Sequence, residues 1–79
     1  MTEYEKWCER CAKTDLLYLL DRKNMVSLVK VQDKKSVGNP MGRAPLYAVW
    51  NHHKDKMVYI RPGYRAGCDR FFEEVRKNG

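Results

Sequence analysis

The hydrophobic and polar positions divide the chain into five segments. Residues 2–21 read as a helix. Thr2 with Glu5 is a capping-box pattern, in which the hydroxyl accepts a free N–H of the first turn and the carboxylate reaches back. Tyr4, Trp7, Cys8, Cys11, Ala12, Leu16, Leu19 and Leu20 follow at steps of three and four, the spacing of one helical stripe. Glu9 and Lys13 add a favourable i, i+4 pair. Thr14-Asp15 is where this segment could split, and Leu17 and Tyr18 lie off the stripe. Asp21 to Asn24 is a polar break. Met25 to Gln32 alternates as a strand, with Val29 and Val31 suited to the core and Val26, Leu28 and Lys30 on the other face.

Residues 33–45 form a long loop with two glycines, an Asn39-Pro40 step and the cations Lys34, Lys35 and Arg43. Loops of this length are usually functional or disordered, so it is expected to be flexible and positively charged. Residues 45–62 then give two β-prone runs around the polar centre His53 to Lys56, bounded by Pro45 and Pro62. That is a hairpin. A turn centred on Lys54-Asp55 sets Trp50 against Tyr59, His52 against Met57, Val49 against Ile60 and Asn51 against Val58. Trp50, Tyr59, His52 and Met57 would then share a face, and a one-residue slip would reassign it. Residues 64–77 form the last helix, with Tyr64, Cys68, Phe71, Phe72 and Val75 on one stripe and a natural stop at Asn78-Gly79. Gly67 weakens its first turn by up to ~1 kcal/mol against Ala.

The expectation is a single α+β domain over residues 1–79, in the order α-β-β-β-α. Two amphipathic helices would cover one face of a three-stranded antiparallel sheet. In element order this resembles the double-stranded RNA-binding domain and the small messenger-RNA-cleaving toxins. The resemblance stops there. Tyr64-Arg-Ala-Gly-Cys68 stands where the first has a Lys-Lys-x-Ala-Lys run, and Met41-Gly-Arg-Ala44 stands where the second have Gly-Ser-His. No site residue carries over.

Charge changes the picture more than composition does. The net charge is +6. Residues 1–33 hold six basic and six acidic residues, and residues 34–79 hold ten basic and four acidic, 10 − 4 = +6. A positive field gathered in one part of a chain favours an anionic partner, nucleic acid first. With only 79 residues, the chain buries roughly 60% of its unfolded surface, which makes self-association an option and a deep cleft improbable. No apolar run is long enough to cross a bilayer and no apolar leader is visible, so the expected compartment is the cytoplasm.

Four groups of residues are candidates for function. Arg61, Arg65 and Arg70 surround the start of the last helix, with Lys34, Lys35 and Arg43 able to flank them, as a phosphate-binding edge. Trp50, Tyr59, His52 and Met57 form either an interface or a base-stacking platform if the helices leave them open, and core if they do not. Cys8, Cys11 and Cys68 with His52 or His53 could in principle hold zinc. The Cys-x-x-Cys lies mid-stripe in a helix, so small buried hydrophobes explain it better, and no metal or other cofactor is expected. His52 and His53 beside cations could act as general base in a metal-free ribonuclease. No nucleophilic triad accompanies them, and the chain is expected not to be an enzyme. The leading reading is a small basic nucleic-acid-binding or regulatory protein, binding RNA or DNA through its phosphates. The alternative is a protein–protein interaction module, an inhibitor or accessory factor of the phage or mobile-element kind. It would act through an apolar sheet face, possibly as a homodimer.

Overall fold

A computed structural model describes residues 1–39 and 41–78. The chain runs α1 (Glu3–Ala12), β1 (Asp15–Lys23), β2 (Val26–Asp33), a short 3-10 turn (Lys34–Ser36), β3 (Leu46–Asn51), β4 (Lys56–Pro62) and α2 (Tyr64–Asn78). The strands pair antiparallel in chain order, β1-β2-β3-β4. The class is α+β, but the sheet has four strands, not three. Of the residues 2–21 expected as helix, 15–21 belong to strand β1. Pro40 of the expected loop and Gly79 of the expected helix stop lie outside the described residues.

The first helix stops early because the rest of its stripe has a better use. Thr2 caps it as expected, its Oγ1 accepting from the Glu5 N–H at 3.2 Å. Beyond Ala12 the run Leu16 to Leu20 would be apolar on every side of a helix. As a strand it completes the hydrogen bonding of β2, from Asp15 opposite Asp33 to Lys23 opposite Val26. Asn24 and Met25 make the connection with φ of 48° and 61°. Two positive φ values in a two-residue loop are the geometry that matches the twist of a hairpin. A bulge at Leu20 shifts the register between Leu19 and Asp21.

The two helices lie on opposite faces of the sheet. One cluster packs Trp7 of α1 on Val29, Val31, Ala48 and Trp50, with Tyr4, Cys8, Cys11, Leu17, Leu46 and Met57 at its margin. The other packs Phe71 of α2 on Val26, Leu28, Tyr47 and Val49, with Val58, Tyr59, Cys68 and Val75 around it. The expected placement of both helices on one face is therefore overturned. Val-rich β2 and β3 supply apolar residues to both faces, and each face needs its own cover. Gly67 lets α2 come close, since a Cβ there would meet the Tyr47 Cβ at 2.8 Å.

The β3–β4 register also differs from the expected one. Val49 lies opposite Tyr59 and Ala48 opposite Ile60, and a bulge then brings Trp50 opposite Met57. The turn is longer than a Lys54-Asp55 centre supplies, and the ladder slips by one. Tyr59, Ile60 and Arg61 therefore change face relative to the expected register, while Met57, on the other side of the bulge, stays on the face of Trp50.

Candidate nucleic-acid interface

The meander gathers the expected basic residues toward one end of the sheet. The end of α1, the start of β1, the end of β2, the start of β3, the end of β4 and the start of α2 all lie there. A groove of this end is lined by Lys13, Thr14, Asp15, Asp33, Lys34, Lys35 and Arg43. An adjoining, more apolar groove shares Asp15, Asp33 and Arg43 and continues over Leu46, Ile60 and Pro62. Arg61 precedes Pro62 in β4, and Arg65 sits in the first turn of α2. Lys13, Lys34, Lys35, Arg43, Arg61 and Arg65 stand against Asp15 and Asp33, 6 − 2 = +4 of the chain's net +6. All six cations are exposed.

Local hydrogen bonds shape the loop that carries three of them. Asp33 accepts from the Lys35 N–H at 3.0 Å. Buried Ser36 accepts from the Arg43 N–H at 2.9 Å through its Oγ. Gly42 lies so close to Ser36 that a Cβ would meet the Ser36 Cβ at 2.6 Å. The loop thus folds back and presents Arg43 beside Lys34 and Lys35. Lys34 has a structural duty as well, because its Nζ donates to the Ala12 carbonyl at 2.8 Å and so closes the end of α1.

Arg70 departs from this group. Its Nη2 pairs with buried Glu74 at 3.2 Å, and with Arg61 it lines a separate shallow groove along β4. Glu74 also draws Lys77 at 3.7 Å. It belongs to a polar network with Asn51, which is fully buried, and Asn78. Asn78 donates to the Asn24 carbonyl at 2.9 Å. This network ties the end of α2 to the two hairpin turns.

The expected aromatic surface is closed. Trp50 is 4% exposed. Its ring lies 5.5 Å from Trp7 and 5.4 Å from Tyr4. Tyr59 is half-buried on the opposite face, with the α2 cluster. Met57 joins the α1 cluster and His52 packs edge-on against Tyr4 at 4.6 Å. Trp50 and Tyr59 therefore form no common platform. The register slip separates them and each helix covers one.

His52 has a buried partner, Ser27, whose Oγ lies 2.6 Å from Nε2. Burial holds the His52 pKa below its ordinary value of 6.5, helped by Arg22 and partly offset by Asp55. Ser27 is fully buried and His52 half-buried, so their contact is a hydrogen bond within the fold. His53 is exposed. The cysteines are parted by the sheet: Cys8 and Cys11 pack with the α1 cluster and Cys68 with the α2 cluster. Burial raises the pKa of both Cys8 and Cys11, which disfavours thiolate. Among the described residues, no group of three or more His, Cys, Asp or Glu side chains is placed to hold a metal ion.

The sequence reading missed two features here. Lys13 and the two aspartates enter the basic end only because residues 15–23 turn back as a strand. The edge of β1, with Tyr18, Leu19 and Leu20 exposed, was concealed in an assumed helix. The Lys23-Asn24-Met25 turn was the signal available for both. No protein-family model matches the chain, and searches of the curated proteins and of the solved structures also give no match.

Proposed function

We propose that the protein binds nucleic acid through its phosphate backbone, using Lys35, Arg43, Arg61 and Arg65 with Lys13 and Lys34 at their side. The observation that carries this reading is the convergence of these exposed cations at one end of the sheet, with a local excess of +4 from the six cations and two aspartates. Concentrated positive charge on a surface without an aromatic platform suits contact with phosphates and gives little means of reading bases. Binding is then tolerant of sequence, and base stacking on Trp50 has no part in it. RNA and DNA are both accepted. The reading is of a binder and not of an enzyme.

The test is fluorescence anisotropy with labelled duplex RNA and duplex DNA of mixed sequence. About four phosphate contacts give a salt slope near −3.6, or roughly a 150-fold loss of affinity from 50 to 200 mM salt. Arg61→Glu with Arg65→Glu should remove most of the affinity and flatten the slope. Affinity that ignores salt, or that the double variant keeps, would overturn the reading.

The alternative, a protein-interaction module acting through an apolar sheet face, loses its surface, because α1 and α2 cover the two faces. Tyr18, Leu19 and Leu20 on the β1 edge are among the apolar residues that remain exposed.

A further inference from the structure

We infer that the nucleic acid bound is single-stranded, its unpaired bases stacking on Tyr18, Tyr64 and Phe72 beside the basic end. This rests on the phosphate-binding reading and names the form of nucleic acid that it serves. Of two Trp, five Tyr and two Phe, these three are the exposed ones, at 45%, 60% and 47%. All three lie on the α2 face. Tyr18 stands opposite Lys30 and Lys30 opposite Tyr47, and residues so paired share a face. Tyr47 belongs to the α2 cluster, and Tyr64 meets it edge-on with ring centroids 5.5 Å apart. Phe72 meets buried Phe71 at 5.4 Å. α2 packs over β2, β3 and β4. Tyr64, Cys68 and Phe72 follow at i, i+4 and i+8 along one flank of the helix, and Lys23 of β1 reaches the Phe72 ring. That flank therefore looks toward β1, and the three rings border the strip of sheet between them.

Each ring has a cation at hand. Lys30 Nζ lies 5.9 Å from the Tyr18 ring and Lys23 Nζ 5.7 Å from the Phe72 ring. Arg65 follows Tyr64, and Arg76 stands one helical turn beyond Phe72. With Asp21 and Asp69 counted against these four, the surface holds 4 − 2 = +2. Rings for bases interleaved with cations for phosphates are what an unpaired strand needs. Exposed cation–π contacts of this length are weak, so each ammonium can leave its ring for a phosphate and free that face for a base. The basic end itself has no such rings, and Arg65 joins the two surfaces. A duplex has its bases stacked on one another and offers them no face. An apolar protein surface would strip water from the cations without pairing them, so charge selects the polyanion. Stacking is indifferent to base identity, which agrees with sequence-tolerant binding.

Fluorescence anisotropy with a labelled mixed-sequence single strand and the duplex of the same length, at one salt concentration, tests this. The single strand should bind more tightly, although its phosphates are less densely charged and would by themselves favour the duplex. Phe72→Ala and Tyr18→Ala should each weaken single-strand binding by about 5- to 150-fold, with duplex affinity and both salt slopes unchanged. Phe72→Tyr keeps a ring and should bind as the wild type does. A strand carrying 2-aminopurine should lose fluorescence on binding the wild-type protein, and less on binding Phe72→Ala. Thermal midpoints check folding, and if Phe72→Ala is not folded, Phe72→Leu, which keeps the bulk without the ring, takes its place. Salt-dependent binding that favours the duplex, or single-strand affinity that survives loss of either ring, overturns this inference and leaves the phosphate reading standing. Equal losses for single strand and duplex overturn it as well. Absence of binding to both forms ends both readings.

Discussion

Met25 holds φ at +61° in the β1–β2 turn, next to Asn24 at +48°. Asparagine tolerates the left-handed region, but a long side chain there crowds its own carbonyl at a cost of roughly 1–2 kcal/mol. Glycine at the second position of this turn is free of that cost, and loses part of the gain to its greater freedom when unfolded. Met25→Gly should therefore raise stability by about 0.5–1 kcal/mol, seen as a higher urea midpoint with an unchanged slope. His52 gives a second residue-scale expectation. Its folded pKa is depressed below 6.5, so the folded state favours the neutral ring that meets Ser27 at 2.6 Å. As the pH falls below 6.5 the unfolded chain takes up a proton that the folded chain resists. The stability tied to His52 is thus intact above that value and is lost below it. Thermal midpoints of the wild-type protein between pH 7 and pH 5 should fall more steeply than those of His52→Gln, and parallel curves would count against this account.

At the scale of elements, α2 shows how packing overrides propensity. Read alone, Gly67 is a weak point that alanine would improve by up to ~1 kcal/mol. In the fold it is buried, and its missing Cβ is the space into which the Tyr47 Cβ would intrude at 2.8 Å. Backbone and Cβ atoms have little freedom to retreat, and such overpacking costs about 1–3 kcal/mol. Gly67→Ala should destabilise the protein despite the better helix former, with the loss read from chemical denaturation. A gain would mean that the helix stands further from the sheet. Residues 15–23 make the same point from the other side. Leucine favours helix, and the stripe through Leu16, Leu19 and Leu20 continues that of Trp7 and Cys11. Pairing with β2 wins because it satisfies a full edge of backbone groups and joins Leu17 to the cluster beneath α1.

For the whole molecule, a single sheet separates two apolar layers and is shared by both. Each layer contains residues of β2 and β3, so neither can come apart while the sheet remains intact on the other side. Phe71, 1% exposed, anchors the α2 layer, while Trp7 and Trp50 lie in the α1 layer. Phe71→Ala should cost about 3–5 kcal/mol and shift the tryptophan fluorescence transition together with the far-ultraviolet circular dichroism. An unmoved tryptophan transition would show that the layers unfold separately. The same architecture produces the candidate site. Four antiparallel strands turn at alternate ends, and residues as distant as Lys13, Arg43 and Arg65 arrive at one of them.

Much of this was legible locally. The cap at Thr2, the strand through Val26 to Val31, the hairpin around His53 to Lys56 and the helix from Tyr64 rest on periodicity and turn chemistry, which act between near neighbours. So does the basic excess after residue 33, which is a matter of composition. Fold class and the cationic half of the candidate site follow from these. What the chain alone left open were questions of competition between distant segments. Residues 15–23 became strand because β2 had an edge to fill. The helices took opposite faces because Trp7 and Phe71 each had an apolar layer to bury. The β3–β4 ladder took its register from those two layers, and a slip of one residue sent Trp50 and Tyr59 to different sides. Such outcomes depend on which groups are desolvated together, and that quantity exists only once the segments are packed.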